Sequence, residues 1–83
     1  MQKLIQNSGF GQNLKRIRLK QGFTQKELVG KMQLLGSVIS RSGYSMIELG
    51  TRNIKVTDLV ALQRVYGVDF AEFFKGIEPR EQH

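Results

Sequence analysis

Apolar residues recur along this chain at helical spacing, and nowhere do they alternate as in a strand. Phe10, Leu14 and Ile17 share one face with Gln21, while Lys15, Arg16 and Lys20 turn away from it. With Ser8 as N-cap and Gly22 just past the end, they predict a first helix over 9–21. Leu19 falls on the opposite face, to be exposed or covered by a partner. Thr24-Gln25-Lys26-Glu27 has the form of a capping box, hydroxyl and carboxylate each satisfying the other residue's backbone donor. Leu28, Val29 and Met32 then give the apolar face of a second helix, from 25 to 34 or 35, with Gly36 as its stop.

Ser40 is the next N-cap. Tyr44 and Ile47 face inward, and Ser42, Ser45 and Met46 outward, on a short third helix over 41–49 that ends at Gly50. Thr51 to Lys55 is a polar turn around Ile54. Val56, Leu59, Val60, Leu62 and Val65 predict a strongly amphipathic fourth helix closed by Gly67. Asp69-Phe70-Ala71-Glu72 reads as a second capping box, opening a short fifth helix through Phe74. The expectation is an all-α, five-helix domain over 9–75, with an N-terminal extension over 1–8 and a C-terminal tail over 76–83.

Composition narrows the chemistry. With 83 residues there is room for one domain and one modest core. The absence of cysteine excludes disulfides and thiolate metal sites. The single histidine, His83, is the last residue, so imidazole chemistry would hang on a chain end prone to fraying. Residues 1–55 hold just two acids, Glu27 and Glu48, which with the single terminal histidine argues against acid–base catalysis. Neither an enzyme nor a metal or cofactor is expected. Met1 to Ser8 offers only Leu4 and Ile5 as an apolar pair, far short of a secretory core, so a cytoplasmic location is expected.

The net charge of +6 is unevenly spread. Residues 1–55 carry ten Lys and Arg against two acids (+8), and residues 56–83 carry three against five (−2). One face suits a polyanion and another something else.

A short helix beginning Thr-Gln, a turn, and a second helix with a small polar outer stripe suit duplex-DNA readout. The amides that open the first helix face a phosphate, and the second helix enters the major groove. The outer stripe here is Arg41, Ser42, Ser45 and Met46, preceded by Ser40. Arginine donates two bonds to guanine, serine reaches several base edges, and methionine touches a thymine methyl. Plainer readings stand beside these: Thr24 to Glu27 as a bare helix start, Arg41 as a solvated charge, the serines as small surface residues, Met46 packed on the second helix.

Five pieces in order strengthen the DNA reading: Leu14-Lys15-Arg16-Ile17-Arg18; Gly22-Phe23-Thr24-Gln25-Lys26-Glu27-Leu28; Ile39-Ser40-Arg41-Ser42; Ile47-Glu48-Leu49-Gly50 with Arg52-Asn53; and Gly67-Val68-Asp69 before Phe73-Phe74. Together they resemble the lambda-repressor-like, XRE/Cro-type helix-turn-helix family from Phe10 to Phe74. That resemblance implies a five-helix DNA-binding domain of the kind found in dimeric repressors and activators. It makes Gln25 a phosphate contact, Arg41, Ser42 and Met46 base-facing residues, and Arg52 a backbone contact. It also implies an ion pair of Arg18 with Glu48 that ties the first helix to the third. Thr24, Lys26, Ser40 and Asn53 complete the expected phosphate contacts.

There are departures. The stretch from Met32 to Ser40 is about five residues longer than that family's usual connection. Gln33 to Val38 reads as an added turn plus a longer loop, with Leu34, Leu35 and Val38 expected to cover part of the flank. Val29 stands where that family has alanine. Gly43 interrupts the third helix at about 1 kcal/mol relative to Ala.

One such unit reads about four to six base pairs, so a homodimer is expected. Its interface is placed on the acidic, aromatic-rich end, at Tyr66, Phe70, Phe73 and Phe74, which alternatively complete the core. Leu4 and Ile5, or Leu19, are the other candidate contacts. The leading expectation is a sequence-specific, double-stranded-DNA-binding transcriptional regulator, a repressor or an autoregulatory controller. The alternative is an antitoxin-like protein-interaction module that also binds its operator, although Met1 to Asn7 and the tail leave little chain to hold a toxin. RNA binding would need aromatic platforms that the basic part lacks.

Overall fold

The computed structural model describes residues 8–78. Among them are four α-helices, α1 (Ser8–Gln21), α2 (Gln25–Leu34), α3 (Arg41–Glu48) and α4 (Val56–Tyr66), then a 3₁₀ segment, Phe70–Phe74. No strand occurs among the described residues, and no helix there is long and apolar enough to cross a membrane. Residues 1–7, with Leu4 and Ile5, and residues 79–83, with His83, lie outside the described part.

Local chemistry explains most boundaries. The Glu27 amide donates to Thr24 Oγ1 at 3.0 Å and the Thr24 amide donates to Glu27 Oε1 at 2.9 Å, completing the capping box that opens α2. The Ser40 hydroxyl oxygen accepts from the Gly43 amide at 3.0 Å and opens α3. At the end of α2, Gly36 turns the chain with a φ of 99°. The Ser37 amide then reaches back to the Met32 carbonyl at 3.1 Å, which ends the helix at Leu34. Ser8 is the first residue of α1.

The fifth helix is a correction: four α-helices stand where five were expected. Asp69 makes no side-chain capping bond, and the Glu72 amide takes the Asp69 carbonyl instead. Asn13 fastens the carboxyl end of this segment to α1. Its amide nitrogen donates to the Phe73 and Lys75 carbonyls, at 2.9 Å each, pinning these acceptors to α1. A segment of only five residues closes in the tighter i→i+3 pattern, as the bond from the Glu72 amide to Asp69 shows. The dimer reading is corrected with it, because Tyr66 and Phe73 are buried in this chain's core, whereas Phe70 and Phe74 are exposed.

The core is a single cluster drawn from every element, with Phe10, Leu14, Leu28, Tyr44, Leu62 and Phe73 at its centre. In α4 the buried face is Asp58, Ala61, Leu62 and Tyr66, while Val56, expected on that face, is exposed. Helix α1 crosses the end of α3 almost backbone to backbone: a Cβ on Gly11 would collide with the Ile47 and Glu48 carbonyls. The long α2–α3 connection is tied down. Ser37 Oγ donates to Asp58 Oδ1 at 2.7 Å and accepts from the Ile39 amide at 3.1 Å. Gln33 donates to the Ile39 carbonyl at 2.9 Å, and Ile39 is buried. Its apolar residues do not cover the flank as expected, since Leu34 and Val38 are 87% and 84% exposed.

Candidate nucleic-acid interface

The geometry of α3 is set at its carboxyl end. Arg18 meets Glu48 through two bonds, Nε to Oε2 at 2.7 Å and Nη2 to Oε1 at 3.2 Å, and its Nη1 donates to the Phe23 carbonyl at 2.9 Å. The expected pair is therefore present, bidentate and buried. Gln25 adds a third donor, its amide nitrogen lying 3.1 Å from Glu48 Oε1. One carboxylate thus fastens α1, the first residue of α2 and the last turn of α3 together. Burial alone would raise the Glu48 carboxyl, but the bond from Arg18, then the neighbouring Tyr44 hydroxyl and Gln25 amide, and the Arg18 charge outweigh it and hold the group below its ordinary value. The Arg18 guanidinium is shifted up, chiefly by its bond to Glu48. Burial pushes both Tyr44 and Tyr66 hydroxyls well above the usual phenol range. They pack beside the pair as neutral groups.

The amino end of α3 is open. Arg41 and Ser42 are exposed and Ser45 is half-buried. With Gln25 they line one polar groove between the start of α2 and the outer face of α3. Met46, 43% exposed, follows one turn along the same helix. Thr24 spends acceptor capacity on its cap, which leaves its hydroxyl proton to donate outward, while Ser40 caps α3 and shares a hydrogen bond of 3.2 Å with the Ser42 hydroxyl. Lys26, Arg52 and Asn53 are exposed outside the groove. Among the described residues Arg41, Lys26 and Arg52 have no side-chain hydrogen bond or ion pair.

Across residues 14–73 the chain matches the helix-turn-helix family profile. This chain belongs to the lambda-repressor-like helix-turn-helix family. The helix-turn-helix domain so defined runs from the middle of α1 to Phe73 and contains both ends of α3. It is also similar to an uncharacterized HTH-type transcriptional regulator, YqaF, of Bacillus subtilis (strain 168), with 36% identity over 70 residues that cover 84% of this chain and 86% of the relative. No solved structure gives a significant match.

Three contributors to the site escaped sequence reasoning. Asn13 holds the 3₁₀ segment, and its signal was an amide one residue before Leu14, on the edge of an apolar stripe. Ser37 with Asp58 holds the long connection, a pairing 21 residues apart that no local pattern announces. The bond from Gln25 to Glu48 adds a structural duty to a residue read only as a phosphate contact.

Proposed function

We propose that this protein is a sequence-specific regulator of transcription that binds duplex DNA as a symmetric homodimer and acts as a repressor or autoregulatory controller. The observation that carries the reading is the open amino end of α3, where Arg41, Ser42, Ser45 and Gln25 share one polar groove within the +8 part of the chain. In this reading Arg41, Ser42, Ser45 and Met46 meet base edges. Thr24, Gln25, Lys26, Ser40, Arg52 and Asn53 meet phosphates and set the register. The dimer contact falls to Phe70 and Phe74, two phenylalanines left exposed in the acidic part of the chain.

Selection from a random duplex pool tests both parts. The expected winners are two half-sites in inverted repeat, about one helical turn apart. Winners without a two-fold pattern, together with a protein that sediments as a monomer on them, contradict the dimer. A pool that does not enrich at all contradicts sequence-specific binding.

A further inference from the structure

Gly43 poses a problem that membership of the family does not solve. It sits in the first turn of an eight-residue helix, where glycine costs stability relative to alanine and no unusual backbone angle requires it. It is nevertheless buried. The side chain that occupies the space a methyl would take is Arg52, nine residues on, past the turn that follows α3. A Cβ on Gly43 would fall on the Arg52 Nη1 and lie 3.2 Å from both the guanidinium carbon and Ser40 Oγ. The guanidinium therefore rests against the helix backbone, in the turn from which Arg41 and Ser42 project.

Resting there, Arg52 keeps its donors unused. Among the described residues it makes no hydrogen bond and no ion pair, so nothing in the protein rewards the placement. A guanidinium whose Nη1 end abuts a bare backbone and whose remainder stays exposed loses little hydration and keeps most of its N–H groups for an acceptor outside. Immobilising it beforehand removes part of the side-chain entropy that a flexible arginine loses when it binds.

We propose that Gly43 is a seat for Arg52: the missing side chain lets the guanidinium lie across the first turn of α3, pre-positioned to clamp a DNA phosphate beside the groove. The inference rests on the duplex-DNA reading and deepens it, assigning Gly43 as a positioning residue for Arg52. The colliding atom is the tip of a flexible side chain, so Gly43→Ala does not break the fold; it evicts Arg52.

A double-mutant cycle on the full chain, with a selected duplex and its scrambled counterpart as probes, tests this. Gly43→Ala is expected to melt at or above the wild-type temperature. It should weaken binding to both duplexes by about tenfold, as Arg52→Ala does. Both variants should lower the slope of log affinity against log salt by about 1. In the Arg52→Ala background, Gly43→Ala should then change nothing further. If Gly43→Ala weakens binding equally in both backgrounds, the methyl obstructs DNA directly and the seat is refuted. If Gly43→Ala binds like wild type while Arg52→Ala is weakened, the seat is refuted and the DNA reading survives. Failure of the wild type to bind any duplex removes both together.

Discussion

The two ends of α3 are about two turns apart and are built on opposite principles. At the carboxyl end Glu48 takes bonds from Arg18 and Gln25, and α1 presses so close at Gly11 that a single methyl would not fit. At the amino end Arg41 and Arg52 have no partner among the described residues, and the serines are exposed or half-exposed. The contrast teaches how a helix of eight residues, too short to hold its shape alone, offers a defined surface. One end is over-determined so that the other can be left unsatisfied until a ligand arrives.

Substitutions at the locked end should cost stability. Arg18→Ala strands a buried carboxylate and should lose about 3–5 kcal/mol in chemical denaturation. A loss below about 1 kcal/mol would show that the pair is not the anchor. Gly11→Ala should lose about 3 kcal/mol, because the obstruction is the Ile47 and Glu48 backbone, which cannot swing aside as a side chain can. A variant as stable as wild type would mean that the α1–α3 crossing is looser than described here.

At the open end the pattern should invert. Arg41→Ala should leave stability within about 0.5 kcal/mol of wild type, yet weaken binding to a selected duplex by about 1–3 kcal/mol and relax preference at one base pair. A destabilised Arg41→Ala with unchanged sequence preference would erase the distinction between the ends.

The smallest effect is in acid. The Glu48 carboxyl is held below its ordinary value of 4.5, so its contribution is complete above about pH 4.5 and is lost as pH falls through the lowered folded-state value. Thermal melts of Glu48→Gln between pH 3 and 6 should show a shallower acid loss than wild type, measured against each protein's own value near neutrality. Parallel curves would remove Glu48 from the acid response.

How much of this was legible follows from which forces are local. The caps at Thr24 and Ser40, the stops at Gly36 and Gly50, and the α2 boundary depend on residues three to five apart, and the sequence displays them. The pairing of Arg18 with Glu48 spans 30 residues and came only through family resemblance. Asn13 reaches across 60 residues to hold the carboxyl end of the last segment, and no local pattern carries that. Phe73 and Tyr66 looked like surplus aromatics for a small core, yet α1, α4 and the 3₁₀ segment together bury both. Gly43 stood out as a helix defect, but its use depends on where Arg52 comes to rest.

The central claim is that the open end of α3 meets duplex DNA while the locked end holds it in place. Equilibrium binding of the wild-type protein to a selected duplex between 50 and 200 mM salt tests it most directly. Arg52, Lys26 and their neighbours displacing counterions should make log affinity fall linearly with log salt, with a slope of about −2 or steeper per chain. The scrambled duplex should bind more weakly with a similar slope. An affinity that does not change across this range would contradict the claim.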